Sequence, residues 1–126
     1  TQKADALPKD QYNPGAGGAY LMVWFFKPSD RQPRGGGGPR VSGKTVSGMP
    51  GTWDVWVDTT NPPCISYVAT SAVETLDFDL NKFIQDSVSN NYGITNSMYL
   101  YLIFGGFEIW GGGDGLQVKA FCADVK

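Results

Sequence analysis

The chain has no histidine in its 126 residues. That absence excludes His-based catalytic triads, imidazole acid–base chemistry and histidine metal sites, and it leaves carboxylates as the natural proton carriers. Cysteine is nearly as scarce, and Cys64 and Cys122 are too few and too far apart to build a zinc site. They admit two readings: one disulfide tying the chain's end to its middle, or two buried thiols packed as small hydrophobes. The expectation carried forward is the Cys64–Cys122 bridge. Charge is sparse too. Asp, Glu, Lys and Arg make up 17% of the residues and the net charge is −2, so no surface for nucleic acid or for an anionic membrane is expected. No apolar run reaches the roughly 18 residues of a membrane span. The chain opens Thr1-Gln2-Lys3 without a signal-peptide pattern, so a leader is expected either to have been removed or never to have existed. Neither a cofactor nor a metal is expected.

What the chain does have is glycine (17 residues), proline (8) and aromatics (13%). Its length suits one domain with one core. Pro8, Pro14, Gly15, Gly17 and Gly18 interrupt residues 1–18, which read as an irregular N-terminal segment ahead of a single domain over 19–126. Ala19 to Phe26 is dense in apolar and aromatic types without polar alternation, and reads as a strand buried on both faces. Residues 27–40 form a loop rich in Pro, Arg and Gly. Its run Gly35 to Gly38 is no phosphate loop, because neither a Lys-Ser/Thr pair nor a helix follows.

Residues 41–47 and 53–58 read as strands around the turn Met49-Pro50-Gly51. In the second of these, Trp53, Val55 and Val57 share one face while Asp54, Trp56 and Asp58 share the other. Asn61-Pro62-Pro63 turns the chain into a returning strand, Cys64 to Ala69. One helix is expected, over about 79–90. Asp79 is its N-cap, Leu80, Phe83, Ile84, Ser87 and Val88 its packing stripe, and Asn90, Asn91 and Gly93 its stop. Met98–Phe104 and Leu116–Cys122 then read as further strands. The expected class is all-β: a jelly roll or β-sandwich of antiparallel strands with that one helix.

The stretch Phe104-Gly105-Gly106-Phe107-Glu108-Ile109-Trp110-Gly111 sets one carboxylate between two large aromatics. Glu108 is either a solvated charge at a strand end or a general acid whose pKa is raised by apolar neighbours. Sugar rings present apolar C–H faces that stack on such rings, so the second reading points to a glycan site.

Leu21-Met22-Val23-Trp24-Phe25, Gln32-Pro33, Trp53-Asp54-Val55-Trp56, Ile65-Ser66-Tyr67-Val68, Leu76-Asp77-Phe78-Asp79 and Gly106-Phe107-Glu108-Ile109-Trp110-Gly111-Gly112 follow one another in an order that resembles glycoside hydrolase family 12. The likeness is to its actinobacterial, mycobacterium-like endoglucanases, and it runs from about Ala19 to the C-terminus. It implies a secreted enzyme with a jelly roll of two stacked antiparallel sheets, whose concave face binds β-1,4-glucan and whose two glutamates cleave it with retention. By that resemblance Glu108 is the general acid/base, and Met22, Trp24 and Trp110 bind substrate, with Phe107 expected to join them as the other aromatic beside Glu108. Tyr20 stands where the family has its nucleophilic Glu, and Ile109 stands where a proline is usual. A retaining pair needs two carboxyls about 5–5.5 Å apart, and a phenol is a poor nucleophile without a partner base. A catalytically impaired relative that still binds glycan or a partner is therefore the alternative. The chain resembles the C-terminal half to two-thirds of the family domain, so a second copy or a separate N-terminal half is an expected partner.

Overall fold

The structure, a computed structural model, describes residues 17–109 and 111–125. Four strands and a helix form along it: β1 (Tyr20–Trp24), β2 (Val41–Lys44), β3 (Trp53–Asp58), β4 (Cys64–Ala69) and α1 (Asn81–Ser89). The hairpin expected around Asn61-Pro62-Pro63 is present, with β3 and β4 antiparallel, Trp53 opposite Ala69 and Asp58 opposite Cys64. β2 adds antiparallel to β3, and β1 adds to the far side of β4, giving the order β1-β4-β3-β2. The class is the expected one, all-β and jelly-roll-like with one short helix. One feature differs: β1 runs parallel to β4, Tyr20 opposite Cys64 and Trp24 opposite Val68, so the sheet is mixed.

Sheet order decides burial. β4 has a neighbour on each side, and Cys64 through Val68 are all buried. β1 was expected to be buried on both faces, yet all five of its residues are only half-buried. Its density of apolar side chains is real, but an edge strand has a neighbour on one side only. At the opposite edge β2 is shortened by a bulge: Val41 pairs with Val55 and Lys44 with Trp53, one more residue on β2 than on β3. The Asp54 carboxylate accepts a hydrogen bond from the Gly43 amide at that bulge, 2.9 Å away.

The alternation in β3 sorts the two faces as expected. Trp53 and Val55 lie in the core with Val46, Met49, Ile65, Tyr67, Phe83 and Tyr92, and Val57 packs against them. Phe83 brings α1 onto this face, its ring 4.9 Å from Trp53, 4.9 Å from Tyr67 and 5.7 Å from Phe78, centroid to centroid. Ser87 is buried one turn later, and Leu80, Ile84 and Val88 are half-buried along the same stripe. Asp86 locks the helix to the sheet, accepting from the Tyr67 hydroxyl at 2.7 Å and pairing with Lys44 at 3.2 Å. Burial, then the Asp86 carboxylate, push the Tyr67 phenol above its usual range, so it stays a donor. The helix is shorter than expected. The N-cap is Leu80 rather than the expected Asp79, which stands one residue earlier with its Oδ1 accepting from the Asn81 amide at 2.9 Å, and Asn91 (φ 54°) and Gly93 (φ 123°) follow its C-terminus at positive φ.

Two expectations for the C-terminal part are corrected. Met98–Phe104 and Leu116–Cys122 join neither edge of the sheet and form no strand. The apolar run of the first and the alternation of the second are strand patterns, but a strand also needs a neighbour for its backbone groups. The two stretches do approach each other. At Gly105 a Cβ would come within 2.7 Å of the Phe121 ring, so glycine is what allows that contact. Tyr99, Tyr101, Phe104 and Val125 are left strongly exposed. The disulfide is the second correction: Cys64 and Cys122 are free thiols. Cys64 sits inside the sheet with its Sγ 3.9 Å from the Ser66 Oγ, whereas Cys122 is exposed. Alkylation of denatured, never-reduced protein should therefore add two labels, native protein should label at Cys122 first, and reductant should leave Tm unchanged. A mass showing a linked pair would contradict this.

Candidate functional site

The face of the sheet turned away from the core carries the chemistry. Strand alternation puts Tyr20, Met22 and Trp24 of β1 on it, beside Cys64, Ser66 and Val68 of β4 and Asp58, Trp56 and Asp54 of β3. Glu108 reaches this face from the C-terminal segment. Together with Met22 and Trp24, and with Gln32, Pro33, Arg34, Gly35 and Gly36 of the 27–40 loop, it lines a cleft of about 280 Å³. Glu108 is the one carboxylate among the described residues lining it.

Of the residues singled out in the sequence, Met22, Trp24 and Glu108 are thus brought together, across more than 80 positions of chain. Tyr20 lies on the same face of β1, one pleat before Met22, but does not line the cleft. Phe107 is exposed, 49% of its surface open, and also lies outside the lining. Trp110 falls outside the described residues. Cys64 stands opposite both Tyr20 and Asp58. Burial pushes its thiol upward, and the carboxylates of Asp58 and Glu108 act in the same direction against Arg34.

The loop residues are what reading the sequence missed. Arg34 donates from Nε to the Asp58 carboxylate at 2.8 Å, and from Nη2 to the Thr60 Oγ1 at 2.9 Å and the Pro62 carbonyl at 3.3 Å. The Thr60 amide and hydroxyl, then Arg34, hold Asp58 below the usual carboxylate range. Next to Arg34, Gly35 (φ 118°) presses onto β3, where a Cβ would meet the Val57 carbonyl at 3.2 Å. The Arg40 amide closes the loop onto the Val55 carbonyl at 2.7 Å. The loop is thus fastened to β3 at Gly35 and at Arg40. Its one sequence signal was Gln32-Pro33 followed by glycine, which marks a rigid bend but not the arginine within it.

Asp54 and Trp56 complete the face. The Asp54 carboxylate is engaged by the β2 bulge. Trp56 is 5% exposed, with its Nε1 lacking a hydrogen-bond partner among the described residues.

Comparison with known proteins gives the family. The description of Glycosyl hydrolase family 12 matches residues 6–126. A probable cellulase, Cel12b of Mycobacterium tuberculosis, is 33% identical over 124 residues, 97% of this chain and 76% of that protein. A xyloglucan-specific endo-beta-1,4-glucanase A of Aspergillus niger is 29% identical over 108 residues, 84% of this chain and 44% of that protein, so the chain spans under half the length of this fungal relative. No solved structure matches significantly. With a family match over nearly its whole length and a one-third-identical relative aligned over 97% of it, the chain belongs to glycosyl hydrolase family 12.

Proposed function

We propose that the chain acts on β-1,4-glucan as an endoglucanase-type glycosidase outside the cell, with Glu108 as general acid/base. The observation that carries this reading is the cleft itself. One carboxylate shares the lining with an aromatic and a thioether, Trp24 and Met22, and with the loop residues Gln32 to Gly36. The C–H faces of a glucose ring pack on Trp24, and Glu108 lies within the same small volume to protonate the leaving oxygen. Family membership and the printed activities of the relatives support the substrate class. The test is release of reducing ends from a soluble cellulose derivative and from xyloglucan. Release of neither, with no binding of either, would sink the proposal.

A second reading is favoured by one observation: no carboxylate besides Glu108 lines the cleft among the described residues, where the family resemblance would put a nucleophile at the position of Tyr20. In that reading the face binds glucan and cleaves it slowly or not at all. Tyr20→Glu puts a second carboxylate on the same face of β1, two residues from Met22. Hydrolysis with retention of configuration should then appear or rise, to a level limited by how closely the new group approaches the required 5–5.5 Å or so. Misplacement by about an ångström can cost about 10²-fold. A Tyr20→Glu protein that binds glucan normally but cleaves no faster would show that β1 does not present the missing partner.

A further inference from the structure

We infer that Arg34 is a substrate-binding residue whose Nη1 group donates hydrogen bonds to hydroxyls of the glucan in the Glu108 cleft. This rests on the glucan reading above and adds to it a residue that the sequence did not single out. A guanidinium carries five N–H donors in a fixed plane. In Arg34 the Nε donor goes to Asp58 and the two Nη2 donors to Thr60 and Pro62. The two on Nη1 have no partner among the described residues, and Arg34 lines the cleft.

The group is held ready for a ligand. Its anchor, the Asp58 side chain, is only 13% exposed, while the Arg34 side chain itself remains 46% exposed. The loop that carries it is fixed by Gly35 against Val57 and by the Arg40 amide on Val55. A donor immobilised before binding loses little rotamer entropy when substrate arrives. Charge decides what it recognises. Asp58 already neutralises the guanidinium and Glu108 adds a further negative charge to the cleft, so an acidic sugar is disfavoured and a neutral hydroxyl is the matching acceptor. A loop tether alone would need only the Nε and Nη2 contacts.

Calorimetric titration of cellotetraose tests this in three proteins, each carrying Glu108→Gln so that nothing is hydrolysed: that variant alone, with Arg34→Lys, and with Arg34→Met. Lysine keeps the charge and can still pair with Asp58, but has no second nitrogen to offer the cleft. Both Arg34 variants should bind about tenfold more weakly or worse, the lysine variant with unchanged Tm. Parent-like affinity in the lysine variant would reduce Arg34 to a tether and overturn the inference while leaving the glucan reading intact. Absence of binding in the Glu108→Gln parent and in the wild-type protein would overturn both.

Discussion

Glu108→Gln should lower glucan hydrolysis by about 10²–10⁴-fold, the usual contribution of a positioned general acid. Gln keeps the shape and the hydrogen-bonding reach of the side chain but cannot give up a proton to a leaving oxygen. The substitution is clean because Glu108 is exposed and makes no hydrogen bond or ion pair with the described residues, so the fold has nothing to lose at that position. The loss should therefore fall on kcat, with Tm unchanged and oligosaccharide affinity within a few-fold of wild type. Steady-state kinetics on a soluble β-glucan, beside a thermal melt, checks this. Undiminished kcat would remove Glu108 from the chemistry and leave the cleft as a binding surface only.

Phe83→Ala should cost about 3–5 kcal/mol of stability, the range for truncating a fully buried phenylalanine. Phe83 is 0% exposed and is the main apolar contact of α1 with the sheet, touching Trp53 and Tyr67, and Phe78 beside them, with its ring. Little can collapse into the space, because its neighbours are themselves rings held by other contacts: Trp53 donates from Nε1 to the Pro50 carbonyl and Tyr67 donates to Asp86. For a single domain stable by roughly 5–15 kcal/mol this is a large fraction of the total. Urea unfolding of the variant beside wild type measures it. A loss below about 1 kcal/mol would mean that the helix does not hold the sheet.

The β3–β4 hairpin, the helix and the split of β3 into a core face and a site face are legible in the sequence because each is a local pattern. Alternation places Trp53 and Val55 opposite Trp56 and Asp58 whatever else the chain does. Helical spacing likewise brings Phe83 and Ser87 under one stripe. Burial of β1, the pairing of the C-terminal stretches and the state of the cysteines depend on sheet order, which is not local. Ala19–Phe26 reads like a central strand and lies at an edge. Leu116–Cys122 reads like a strand and finds no neighbour. Cys64 and Cys122 both fall in strand-like sequence, yet one is sealed inside β4 and the other is exposed. The site divides in the same way. Met22 and Trp24 share a face by alternation, and Glu108 stands out as an acid among aromatics. Arg34 gives no such signal, because its position depends on an ion pair with Asp58, 24 residues away.

Titration of cellotetraose into isotopically labelled protein, followed residue by residue by NMR, asks whether the face that carries Glu108 binds glucan. The Met22 methyl, the Trp24 indole, the Arg34 guanidinium and the Glu108 backbone should shift together with one affinity, while Phe83 and Tyr67 on the core side stay still. Saturable shifts confined instead to the hollow of about 230 Å³ lined by Pro50, Thr52, Thr70 and Val73 would contradict the assignment, as would no shift at any of the four cleft residues.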